Sequence, residues 1–409
     1  MAGVWSGSWP VRVAPVGLVA VGSVLWRFKG QLRATVIVKA TFTFPVQGMM
    51  TRTNPQPLRR ADDYLSGLPS LHGACEIAPR MDDAGVVVVG HAYAPGGATG
   101  RQIRFTLVRA TEILVDKTLY VYGDRSRGGQ PAVFEKMRVG YERAYGGIEL
   151  PANPIGVGCD KKSHAAPNII DPKNPKRGVG GFGPIPARFL ARRTLRGSVA
   201  PDLMERGIAT YPDDFAWDYF QSAPNDQRVP RLRGDEWLMV EGMHPRHPRL
   251  RAGLPKARAY ARVYAERDVG APDLVELKAD MLHVEPDAER CSLVWRGDFP
   301  VASELAADHL ILAGGVQVGD EGIPWPAEME PILRMSSTRV VAAELPGAAD
   351  DDLQDTADKN PAGRRPRPAP PPPPVPDPQP SFIANADRTA PMGQDESWPP
   401  PPPPSARGR

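Results

Sequence analysis

Between Gly123 and Asn225 a proline or glycine recurs every few residues, and nothing else in the chain limits its fold as much. Pro151, Pro154, Pro167, Pro172, Pro175, Pro184 and Pro186 each fix φ and remove a backbone donor, so no long helix or central strand can cross this stretch. An unpacked loop of this length does not belong inside a compact body. The aromatics interspersed through it, Tyr141, Tyr145, Phe182, Phe189, Tyr211, Phe215, Trp217, Tyr219 and Phe220, supply the apolar surface for an ordered irregular layer. One short helix is predicted over 213–221, with acidic residues in its first turn.

Both flanks read as β. Ala34, Val36, Val38, Ala40, Phe42 and Phe44 share one face of a period-2 run. Thr35, Lys39, Thr41 and Thr43 take the other face, with Ile37 the exception, which predicts a half-buried strand. Four strands between 86 and 122, with a turn at 94–97, suggest an antiparallel meander. After 229 the strand pattern returns, with a hairpin predicted from 282 to 295, a short helix over 301–309 and a strand from Leu310. The fold class expected is mainly β: sandwich-like antiparallel sheets, a long glycine- and proline-rich loop layer and a disordered C-terminal tail. The body is placed at 1–345, β-rich over 1–122, loop-rich over 123–228 and β-rich over 229–345. The tail, 346–409, carries the acidic run 350–352 and, after residue 360, 18 of the 48 prolines, with too little apolar area to offset ordering entropy. It reads as a spacer, with 381–384 and Trp398 as conceivable anchors.

With 50 basic and 47 acidic residues there is no electrostatic reason to expect nucleic acid. Cys75, Cys159 and Cys291 lie far apart without metal-ligand spacing, which fits a reducing cytosol and three inert thiols. No apolar run approaches the ~20 residues of a membrane helix, and no export signal is seen, so a cytoplasmic location is expected.

The segment 139–158 mixes its chemistry on a short scale. Tyr141 and Tyr145 carry hydroxyl handles, Glu142 and Arg143 are adjacent opposite charges, and Gly146, Gly147, Gly156 and Gly158 admit unusual backbone angles. Pro151 and Pro154 stiffen the chain around Asn153, so a rigid, polar-cored connection is expected. Seven segments, two of them inside this stretch, match a known pattern in order. They are the run 34–44, Val89-Gly-His-Ala-Tyr-Ala-Pro95, Val121-Tyr-Gly-Asp-Arg125, Tyr141-Glu-Arg-Ala-Tyr-Gly-Gly147, Asn153-Pro-Ile-Gly156, Gly181-Phe-Gly-Pro-Ile185 and Ala223-Pro-Asn-Asp-Gln227. Over roughly residues 15 to 335 the chain resembles the bacterial domain-of-unknown-function family 2169, whose members are typically encoded beside type VI secretion genes. The resemblance implies an adaptor or chaperone that helps load an effector toxin onto a PAAR- or VgrG-type spike protein, with no catalytic residues and no cofactor.

The chemistry-bearing candidates are few. Residues 178–183 spell GxGxxG, but Pro184 and Pro186 follow at once, leaving no helix to hold a pyrophosphate. A tight turn that packs Phe182 is the better reading. Pro245 between His244 and His247 argues against a helical metal pair. Asp124 beside Arg125, and Glu142 beside Arg143, are the carboxylates that a carbohydrate-active enzyme on a β scaffold would use. Neutralisation of both by arginine in a polar network is favoured instead. The leading expectation is a non-enzymatic binding protein whose loop layer docks another polypeptide. Tyr141, Tyr145, Trp217 and Tyr219 are its candidate anchors or, if buried, its core. A structural component travelling with the secretion spike is a further alternative.

Overall fold

A computed structural model describes residues 9–65, 67–160, 164–199, 208–265 and 272–326. The tail expected over 346–409, with its acidic run and both anchor segments, lies outside the described residues.

The fold is mainly β. All of the alternating run but Phe44 lies within the strand Gln31–Thr43, at the centre of an eight-stranded sheet. Across that sheet the order is Ala209–Tyr211, Ala20–Phe28, Gln31–Thr43, Arg290–Pro300, Lys278–Glu285, Ala84–Val88 and Arg228–Val229, with Arg52–Thr53 also pairing on Gln31–Thr43. A six-stranded sheet runs Ile169–Ile170, Glu112–Tyr122, Gly100–Arg109, Trp237–Glu241, Arg249–Gly253 and Gln47–Met49. A four-stranded sheet runs Arg12–Val16, Leu310–Val318, Ala257–Ala265 and Asp273–Glu276. Most pairs are antiparallel. Parallel pairs join Ala84–Val88 to Lys278–Glu285 and Arg12–Val16 to Leu310–Val318, so the sheets are mixed. One contiguous apolar core takes side chains from all three sheets, including Val38, Phe105 and Leu312.

The central strand departs from expectation. Its apolar face is buried as foreseen, but Thr35, Lys39 and Thr41 on the opposite face are equally buried, and of the four polar residues Thr43 alone is exposed. The cause is a covering segment over residues 56–79. The Thr35 hydroxyl donates to the Pro79 carbonyl at 2.6 Å and accepts from the Trp26 indole N–H at 2.9 Å. The Gln56 backbone N–H donates to the Thr41 hydroxyl at 2.9 Å. Lys39 Nζ donates to both Glu76 oxygens, at 2.7 and 2.9 Å. Polar groups that look solvated in sequence are satisfied by a layer from elsewhere in the chain.

The meander is also corrected. Gly100–Arg109 and Glu112–Tyr122 do form a hairpin. Ala84–Val88 enters the large sheet instead, and His91–Ala98 pairs with Phe134–Arg138. Where a turn was predicted, the strand continues with its register shifted between Tyr93 and Ala98, and that bulge leaves Pro95 without a ladder partner. The hairpin after residue 278 forms as predicted, with Glu289 at φ +48° in its turn. The helix foreseen over 301–309 is Glu304–Asp308, capped by Ser303, whose hydroxyl accepts from the Ala306 N–H. Over 213–221 only the 3-10 turn Trp217–Phe220 forms.

Candidate functional site

Tyr141 opens a single 3-10 turn, Tyr141–Arg143. Its ring is buried against Gly181, where a Cβ would stand 2.5 Å from a ring carbon, and its hydroxyl donates to the Gly183 carbonyl at 3.0 Å. Burial pushes this phenol far above its ordinary range, so it remains a neutral donor. Two residues on, Tyr145–Gly146 pairs in parallel with Val157–Gly158 and closes the base of a loop.

Asn153 fills that loop. It is wholly buried, and its Nδ2 donates to the Tyr141 carbonyl at 2.9 Å and the Tyr145 carbonyl at 3.1 Å. Its own backbone carbonyl accepts from the N–H of Gly147 at 2.9 Å and of Gly156 at 3.3 Å. Gly146 and Gly156 are obligatory here. A Cβ on the first would sit 2.3 Å from the Asn153 oxygen, and on the second 2.3 Å from its Nδ2. Asn153→Ala is expected to cost about 1–3 kcal/mol, because buried carbonyls lose a donor. It should also raise amide exchange at 146–156 selectively; unchanged exchange there would show that Asn153 does not hold the loop.

The two candidate carboxylates have separate partners. Asp124 is exposed and accepts from Arg143 Nη1 and from Asn168 Nδ2, each at 3.0 Å. Arg125 turns away to donate to the Pro167 carbonyl at 3.0 Å and to cover the Tyr122 ring. Glu142 is largely buried, accepts from the Ser70 hydroxyl, and lies 3.8 Å from Arg138 Nε. The same Ser70 hydroxyl accepts from the Tyr141 N–H at 2.8 Å, so Glu142 fastens the turn to a distant segment. Glu142 therefore pairs with Arg138 rather than with its neighbour Arg143, which serves Asp124. Neither carboxylate lines the clefts of about 710 and 580 Å³ among the described residues.

Of the aromatics that the sequence left open as anchors or core, Tyr141, Trp217 and Tyr219 are core. Trp217 and Tyr219 are buried in a cluster with Trp26, Phe28, Tyr211, Phe215 and Phe220, and Phe182 is wholly buried. Two of them cannot dock a partner because they already pack against the edge of the large sheet, where Ala209–Tyr211 meets Ala20–Phe28. Tyr145 is half-buried. The loop exposes Ile148 instead. That side chain is 92% accessible at the tip, while the turn beneath it is held by Leu150 N–H to the Gly147 carbonyl at 2.8 Å and Asn153 N–H to the Leu150 carbonyl at 2.9 Å. The signal was present in the sequence: an isoleucine set in a turn, between Gly146-Gly147 and Glu149, with no periodic apolar neighbours.

Sequence reasoning also passed over two polar clusters. His91 Nδ1 lies 2.5 Å from Asp287, whose other oxygen accepts from the His91 backbone N–H at 3.4 Å, so the pair clamps the start of a strand. Lys39, Glu76 and Arg59 form a buried ionic group, with Arg59 Nη1 2.8 Å from Glu76. His244 is buried, its Nδ1 accepting from the N–H groups of Arg246 and His247 while Nε2 faces Glu289 at 3.0 Å. Among the described residues no three His, Cys, Asp or Glu side chains gather as a metal site, and no helix is long and apolar enough to cross a membrane.

No curated protein and no solved structure matches the chain. Residues 29–296 match the family described as an uncharacterized protein conserved in bacteria, DUF2169, and this span includes the central strand, the Asn153 loop and the buried ionic group. It covers well over half of the 409 residues, and the chain belongs to that family.

Proposed function

We propose that this protein is a non-enzymatic adaptor that grips a type VI secretion effector toxin, a PAAR- or VgrG-type spike protein, or both, and holds them for loading. The observation that carries this reading is the loop around Asn153. Its glycines, asparagine and tyrosines are spent on rigidity, and the product is an isoleucine held 92% exposed on a preordered turn. An apolar anchor already fixed in place loses little entropy on docking, which suits a protein-binding surface. Asp124 and Glu142 support the same reading, since each is engaged by its own partners rather than facing the other.

Capture from the native host with the immobilised protein tests this. The wild type is expected to recover a toxin and a spike protein. Ile148→Asp puts a charge at the anchor and should weaken recovery about 30-fold, the size of a hot-spot loss of about 2 kcal/mol. Equal recovery by both would remove the loop from the interface. Saccharide turnover abolished by Glu142→Gln would replace the adaptor with an enzyme.

A further inference from the structure

Three extended segments meet beside the junction of the large and four-stranded sheets, and each alternates buried apolar residues with exposed basic ones. Leu232 is buried between exposed Arg231 and Arg233. Ala257 is buried between exposed Lys256 and Arg258, and exposed Lys278 lies between buried Leu277 and Ala279. Leu232 bridges to Ala279, the Ala257 N–H donates to the Gly234 carbonyl at 2.9 Å, and the Leu277 N–H donates to the Ala259 carbonyl at 3.0 Å. The three alternations therefore run side by side, and five cations come to one rim. They line a cleft of about 580 Å³ with Trp295 in its wall and Asp235 and Glu276 as its carboxylates.

The rim is preset. Glu236, wholly buried, accepts from the backbone N–H of Arg233 at 2.6 Å and of Gly234 at 2.8 Å, which fixes the turn that carries Arg233. Gly234 sits at φ +79°, and a Cβ there would stand 2.0 Å from the Ala257 carbonyl oxygen, so the turn is seated directly on the Lys256–Ala257 backbone. Among the described residues, none of the five cations has a hydrogen-bond or ion-pair partner for its side chain. Several exposed arginines elsewhere on this surface do have ion-pair partners, as Arg80 has in Asp82 and Arg249 in Glu241.

Five cations against two carboxylates leave an excess of positive charge around one concavity, a potential that a carboxylate-rich ligand relieves. We propose that this cleft docks an acidic polypeptide segment, with several Asp or Glu side chains meeting the rim. A polypeptide fits better than nucleic acid. Trp295 is 2% exposed and offers no face for base stacking, and the cations form a local rim on a chain of net charge +3 rather than a track for a phosphate backbone. The cleft contains none of the loop residues 139–158 and stands independently of the adaptor reading.

Fluorescence anisotropy on the full chain decides it, with a labelled Glu-rich peptide, its Gln-for-Glu counterpart and a single-stranded oligonucleotide of the same length. The Glu-rich peptide is expected to bind more tightly than the other two, and to weaken as salt rises. Each lost cation should cost about 1.4- to 5-fold, the range for exposed ion pairs, so the triple variant R233E/K256E/K278E should lose about 3- to 125-fold. R231E/R258E, on the same rim, provides a second variant should the first fail to fold. Unchanged peptide affinity in these variants, or a Gln counterpart that binds equally well, overturns the proposal. So does an oligonucleotide that binds as tightly as the peptide, which would make the cleft a general polyanion site. Ile148→Asp should leave peptide binding intact, so failure here and failure of the loop as an anchor are separable.

Discussion

Glu76→Gln is expected to lower the unfolding free energy by about 3–5 kcal/mol, the usual cost of removing one partner from a buried ion pair. Lys39 is wholly buried on the central strand, with its ammonium donating to both Glu76 oxygens. Glutamine can still accept a hydrogen bond there but carries no charge, and Arg59, on the outer side of the carboxylate, brings a second cation. The variant would bury a cation against another cation with no negative charge between them. Replacing both members, Lys39→Met with Glu76→Leu, should recover much of the loss, because well-packed apolar groups avoid the desolvation cost altogether. Denaturant unfolding of the three proteins measures this, and a loss below about 1 kcal/mol for Glu76→Gln would show that water reaches the pair.

The pH dependence has a fixed sign. Burial alone would raise the Glu76 carboxyl, but Lys39 and Arg59 outweigh it and hold the group below its usual range. A depressed carboxyl stabilises the fold above its unfolded value of about 4.3, and that contribution is lost as pH falls through the lower folded value. The stability gap between wild type and Glu76→Gln should therefore be full at neutral pH and close progressively below about pH 4. Lys39 is itself pushed down by burial, which acts at alkaline pH and leaves the acid limb alone.

Why this ionic group was illegible in the sequence is a matter of separation. The alternation of Gln31–Thr43 states which residues share a face, and the structure agrees with it residue by residue. It does not state what covers a face. Lys39, Thr35 and Thr41 are the residue types of a solvated surface, and their partners Glu76, Pro79 and Gln56 come from a segment without periodicity. The loop around Asn153 was legible for the opposite reason, since its fasteners lie within the same short stretch and glycine and proline mark where the backbone must turn. The basic rim falls with the first class. Its alternations are each only three residues long, and tertiary pairing alone brings them into phase. Aromatic content shows that a loop layer can pack but not which rings face inward, and Trp217 is where that ambiguity misled.

Trp217→Ala is accordingly expected to cost about 3–5 kcal/mol in stability while leaving the affinity of the folded protein for the proposed partner unchanged within about twofold. The ring lies 5.2 Å from Trp26, 5.4 Å from Phe28, 5.1 Å from Tyr211 and 5.2 Å from Phe215, mostly edge-on or tilted, geometries that add to simple burial. Arg80 covers it at 5.4 Å. Deleting it opens a cavity where the short strand Ala209–Tyr211 meets the large sheet, and the damage would pass along Trp26, whose indole N–H is tied to Thr35 on the central strand. Trp217→Phe fills most of that space and should cost less than half as much. The loop tip at Ile148 shares no residue with this cluster, so binding should survive in whatever fraction stays folded. Unfolding curves and partner titrations at a temperature where the variant is native separate the two effects. A variant of near-wild-type stability that had lost its partner would return Trp217 to the docking surface, and a destabilised one that still binds places the docking anchor elsewhere.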